Sequence, residues 1–136
     1  MPRHVWTMCC ENAVVDARTN NVSLINAIEQ ISVPAAAPVI AMRLVIVSLW
    51  ARDSGGHVPV KCRFLWQGPG ERDSSLLGEF SAEIEPEKRR SRLFIHADRL
   101  DLWGPGDYSL VTELQDPDGA WRVVSRYPVE VVQPAG

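Results

Sequence analysis

The chain has 136 residues, 46 % apolar and 23 % charged, with a formal net charge of −3. That length fits one domain, residues 1–136, with room for a proper core. The acidic balance gives no electrostatic case for nucleic acid or an anionic membrane surface, and no apolar run reaches the ~18 residues of a spanning helix.

Residues 4–15 alternate loosely, with Val5, Thr7 and Cys9 on one side and Trp6, Met8 and Cys10 on the other. They lead with no apolar signal-peptide core, which together with reduced thiols predicts a cytosolic protein. Arg18-Thr19-Asn20-Asn21 predicts a turn, because Asn tolerates the left-handed conformation. Residues 22–33 are ambiguous between a short helix and a strand. The hairpin-like turn before them and Pro34 after them favour a strand. Residues 34–38, Pro-Ala-Ala-Ala-Pro, read as a crossover between sheets.

Residues 39–52 are the most apolar strand. Ile40, Met42, Leu44, Ile46 and Trp50 share a face, while Val39, Val45, Val47 and Leu49 make the other face apolar too. Two apolar faces predict a central strand or a covered outer face, an oligomer contact being one cover. Residues 58–67 and 76–85 alternate cleanly, with Val58, Val60, Cys62, Phe64 and Trp66 inward on the first. Between the second and a short strand at 93–97 lies the one charge run, Glu85-Pro86-Glu87-Lys88-Arg89-Arg90-Ser91-Arg92. It reads as a solvated hairpin tip, its acids largely cancelling its bases. Lys88, Arg89, Arg90 and Arg92 are also the cations that could grip phosphate or an acidic partner.

Residues 98–103 predict a helical turn into a Gly104-Pro105-Gly106 corner. Tyr108, Leu110, Thr112 and Leu114 then point one way, and Asp116-Pro117-Asp118-Gly119 turns the chain into a last strand at 120–132. The order Leu102, Gly106, Tyr108, Leu110 resembles the tyrosine corner of Greek-key sandwiches; the plainer reading is a Tyr that opens a strand. Pro128 marks a bulge or an edge. The sum is an all-β fold: an antiparallel immunoglobulin-like or C2-like β-sandwich of seven to nine strands.

The stretch Cys10-Glu11-Asn12-Ala13, the polar turn, Val22-Ser23-Leu24-Ile25-Asn26-Ala27-Ile28, and the Pro-Gly-x-Tyr before a Val-rich end resemble an uncharacterised family of small bacterial proteins. The resemblance implies a cytosolic β-sandwich and carries over no catalytic or ligand residues. Asn26 departs from the Gly of the family pattern, which puts a backbone bend there in question.

No catalytic constellation stands out, and the chain reads as a non-enzyme. His4, His57 and His96 are scattered, and Ser48 and Cys62 lack a nucleophile signature. Cys9, Cys10 and Cys62 form no C-x-x-C pair and read as small hydrophobes; a disulfide from Cys62 would suit an exported chain. Neither metal nor other cofactor is indicated. Asp98, Asp101, Asp107, Asp116 and Asp118 cannot form one calcium site, because residues 107 and 116 bracket a strand ~30 Å long. Five tryptophans are many for this length; Trp50 and Trp66 read as core, Trp103 and Trp121 as candidates for exposure and binding. The leading expectation is a non-catalytic protein-interaction module that self-associates as a homodimer through an edge strand or residues 39–50. The alternative is a small-molecule or carbohydrate-binding sandwich using Trp103 or Trp121, with Arg89 and Arg90 as further candidates.

Overall fold

A computed structural model describes residues 1–33, 39–71 and 73–133. Nine strands form among them: β1 (Arg3–Val15), β2 (Val22–Ala27), β3 (Gln30–Ser32), β4 (Val39–Ala51), β5 (Val58–Gln67), β6 (Ser74–Ile84), β7 (Arg90–Asp101), β8 (Gly106–Gln115) and β9 (Trp121–Val132). They make a four-stranded sheet in the order β2-β1-β4-β7 and a five-stranded sheet in the order β3-β9-β8-β5-β6. The predicted sandwich is the fold. Its pairs are antiparallel except β3 with β9, which run parallel. The crossover expected at 34–38 lies outside the described residues.

The alternation read from the sequence sets the core. Leu44, Ile46 and Trp50 of β4 face Val60, Phe64 and Trp66 of β5, all at most 2 % exposed. Tyr108, Leu110, Thr112 and Leu114 of β8 are all buried, as predicted. Cys9 and Cys10 part to opposite faces, Cys9 into this core and Cys10 into a second cluster. β1 slips register between His4 and Trp6, which leaves Val5 exposed and puts His4, Thr7 and Cys9 on the inner face.

Three expectations fail for stated reasons. Residues 22–33 are not one strand: β2 belongs to one sheet and β3 to the other. The switch is made at Asn26, whose φ of 55° is left-handed and whose side-chain amide donates to Glu11 Oε2 at 2.8 Å. The bend is therefore present, with Asn meeting the backbone demand that Gly would meet. Ile28 follows it, 4 % exposed, and its amide donates to the Cys9 carbonyl at 2.9 Å. Residues 98–101 are not helical. They continue β7, which pairs with β4 from Arg90↔Ala51 to Asp101↔Val39 across a bulge, so local helical spacing gives way to ladder bonds. The charge run is not the tip of a hairpin either. β6 and β7 sit in different sheets, so residues 85–89 form a corner between layers.

The two-sided apolarity of β4 also finds its cause. Val45 and Val47 point away from the main core, yet are 2 % and 0 % exposed. The β1–β2 hairpin covers them: Ala13 and Leu24 pack on Cys10, Val45 and Val47, with Trp6 beside them. The hairpin tip is held from the far edge of the sheet, where the Arg92 guanidinium of β7 donates to the Asn20 carbonyl. The cover over this part of β4 is the chain itself, not a second subunit.

Candidate binding surfaces

The four residues singled out in the sequence fall in three places. Trp103 lies at the end of the sandwich where β7 turns into β8. The Tyr108 hydroxyl accepts from the Trp103 amide at 2.7 Å and donates to the Gly104 carbonyl at 2.6 Å. This is the tyrosine corner. Its ring stacks on Trp66 at 5.1 Å and on Trp103 at 6.1 Å. Burial pushes the Tyr108 phenol above its ordinary range, so it stays a neutral donor. Trp66 Nε1 donates to the Asp101 carbonyl at 2.8 Å. Trp103 lies so close over Gly68 that a Cβ there would sit 2.7 Å from its Cε3. Its ring is 37 % exposed, but it closes a stack and seals a corner. That is scaffold work.

Trp121 opens β9 at the opposite end of the five-stranded sheet, level with Gln115. It is half-buried, and the Arg63 guanidinium lies 4.3 Å from its ring centroid. The same Arg63 pairs with Glu113 through Nε–Oε1 at 2.8 Å. One ring face is thus taken by a cation. Around it the outer face of this sheet carries an apolar row set by register: Leu76 opposite Leu65, and Leu65 opposite Val111. Val123 stands beside Glu113 in the next row. Leu76 and Val123 are 53 % and 41 % exposed, while Val111 is buried among its neighbours. Arg126, whose Nη1 donates to Gln67 Oε1 at 2.7 Å, borders the row.

Arg89 and Arg90 sit at the corner between β6 and β7. What fixes that corner is Arg52, a residue with no signal in the sequence. Its Nε donates to the Lys88 carbonyl at 2.7 Å, and its Nη1 to the carbonyls of Ser54 and Gly56 at 2.8 and 2.7 Å. Its Nη2 donates to the Ile84 carbonyl at 3.4 Å and to that of Glu85. One guanidinium thereby ties the β4–β5 loop to the β6–β7 corner, and Lys88, Arg89 and Arg90 project from a fixed base. They rim an 830 Å³ cleft whose floor is Trp6, Leu49 and Phe94 on the outer face of the four-stranded sheet. Its far wall is the inner face of the β1–β2 hairpin, Val15 and Val22, with the turn at 19–21. Trp6 was legible only as a residue facing away from Cys9; the fold-back of the hairpin made that face a cleft.

Of the residues weighed for catalysis, Ser48 and His4 are joined through Thr7, and His96 lines a groove with Asp98 and Arg43, while Cys62 lies apart from both. Ser48 is fully buried, its Oγ 2.8 Å from Thr7 Oγ1, which in turn lies 2.7 Å from His4 Nε2. Burial lowers the His4 pKa, so this chain of bonds stays neutral. Cys62 lies in the core and His96 on the outer face of the other sheet. Burial pushes the Cys9 and Cys62 thiols up to about 12, well away from a reactive thiolate, and all three cysteines are free. Asp107 and Asp116 lie at opposite ends of β8. Among the described residues no group of three or more His, Cys, Asp or Glu is placed to hold a metal ion, and no helix is long and apolar enough to cross a membrane.

No family model matches this sequence, and a search of curated proteins returned no match.

Proposed function

We propose that this chain is a non-catalytic protein-interaction module that self-associates through the outer face of the five-stranded sheet. The observation that carries the reading is the row Leu76–Leu65–Val111 with Val123 beside it, on a sheet face that no other element of the described chain covers. An antiparallel sheet open to water carries polar residues on that side. An apolar centre inside a polar rim is the anatomy of an interface, and Arg and Trp are the residues that carry most binding energy there. Arg63 over Trp121 supplies that pair. The face also carries both signs of charge, Arg63 and Arg126 with Glu79 and Glu113, so it carries no single-sign field that would repel a second copy. The three free buried thiols support work in the reducing cytosol.

Size-exclusion chromatography with light scattering tests this. The expected mass is twice that of the 15.1 kDa chain. Leu76→Glu and Val123→Glu each return it to a monomer that unfolds at an unchanged temperature. A monomer at high protein concentration, or a dimer indifferent to both substitutions, overturns the reading.

A further inference from the structure

The cleft under the β1–β2 hairpin lies on the other sheet and is not needed for self-association. We propose that it is a binding site for a small organic oxyanion, a phosphate or carboxylate group carried on a flat apolar body. Its 830 Å³ falls within the ~300–1,000 Å³ range of small-ligand pockets.

The two halves of that ligand follow from the two halves of the cleft. The floor is aromatic and aliphatic: Trp6 is half-buried, Leu49 is buried and Phe94 is 39 % exposed. Trp6, Leu49 and Arg92 are cross-strand neighbours, and Phe94 lies opposite Val47 in the next row. Flat apolar surface of this kind takes a planar body.

The rim is cationic. Lys88, Arg89, Arg90 and Arg92 line the cleft with two carboxylates, Glu83 and Glu85, and Glu87 stands beside Lys88. Glu83 lies 3.5 Å from His57 Nδ1. Asp16, in the turn above, spends its charge locally: its Oδ1 accepts from the amides of Arg18 and Thr19 at 2.8 and 3.1 Å, which holds its carboxyl below the usual range.

Arg92 ties the rim to the hairpin tip. Its Nη2 donates to the Asn20 carbonyl, while its Nη1 is buried and has no acceptor. Among the described residues three other buried side-chain atoms lack partners, Trp50 Nε1, Thr112 Oγ1 and Tyr127 Oη, but those groups are neutral. Arg92 as a whole is only partly buried and its Nη1 has almost no accessible surface, so an oxyanion in the cleft meets the exposed Lys88, Arg89 and Arg90 rather than that atom. Arg52 holds the corner before any ligand arrives, so little ordering cost falls on binding.

An NMR titration of the whole chain tests the site with four probes: phenyl phosphate, benzoate, inorganic phosphate and phenol. Phenyl phosphate or benzoate is expected to saturate, moving the amides of residues 19–22 and 88–94 and the Trp6 indole. Inorganic phosphate and phenol, each carrying half of the recognised chemistry, bind about tenfold or more weakly. Whichever anion binds better identifies the head group. Arg92→Gln weakens binding about threefold or more, by removing one of the four cations that line the cleft. Because Arg92 also anchors the hairpin, the exposed pair Arg89→Gln/Arg90→Gln is the second variant, and it weakens binding without moving the free protein's spectrum elsewhere. Three results each overturn the proposal: no saturable shift with either aromatic anion, phenol binding as well as they do, or affinity indifferent to both variants. An acidic peptide saturating the same amides where phenyl phosphate fails overturns it in favour of a protein ligand.

Discussion

The two ends of this sandwich solve the same problem in opposite ways. Both must cap a two-layer core and turn the chain between sheets. At the Tyr108 end the cap is aromatic: Trp66, Tyr108 and Trp103 stack in series, and the polar tips of Trp66 and Tyr108 each find a backbone group. Pro69 seals it further, sitting where a Cβ on Gly106 would meet its Cγ at 2.8 Å. At the Arg52 end the cap is ionic. A single guanidinium gathers carbonyls from two loops, and three cations project past it into a cleft. The aromatic cap exposes only part of the Trp103 ring, whereas the cap built on carbonyl bonds leaves Lys88, Arg89 and Arg90 projecting. Trp66 and Trp103 thus belong to the closed end, while Trp6 lies in the cleft beside the arginines of the other.

Substitutions at the two ends break that contrast in graded steps. Trp66→Ala has the largest expected effect, a loss of ~3–5 kcal/mol read from the urea midpoint, because a fully buried ring and its stacking partner are lost together. A midpoint within error of the parent would show that the stack is not the cap. Gly68→Ala comes next, at ~1–3 kcal/mol, since its Cβ meets the Trp103 ring rather than a flexible tip. Combining it with Trp103→Ala sharpens the point: the double variant is expected to lose less than the sum of the singles, and strict additivity would mean that the two residues do not touch. Arg89→Gln/Arg90→Gln is the smallest, within about 0.5 kcal/mol of the parent, because these exposed side chains lie beyond the Arg52 tie. A larger thermal shift would make the basic corner structural.

Much of the scaffold was legible. The alternations at 58–67 and 108–114 fixed which residues face the core, because side-chain direction in a strand depends only on the period of two. Asn26 shows where reading by pattern stops. The backbone is left-handed there, a conformation that Asn tolerates as Gly does, so the residue type alone did not reveal the bend. The site was legible by half. Arg89 and Arg90 stood out as charge, but Trp6 and Phe94 reach them only because the hairpin folds back over β4.

The sequence by itself determined the layered all-β fold, the inward residues of most strands and the turns, since all of these follow from local periodicity and from the backbone preferences of Gly, Pro and Asn. Only the tertiary structure decided which sheet each strand joined, that residues 85–89 cross between layers, and what lies over the second face of β4. Those outcomes depend on contacts between segments distant in the chain, such as Arg92 with Asn20 and Arg52 with Lys88. The corner from residue 100 to 119 keeps its turns and its tyrosine and loses its helix, because pairing with β4 takes the backbone groups of residues 99–101 that a helical turn would use.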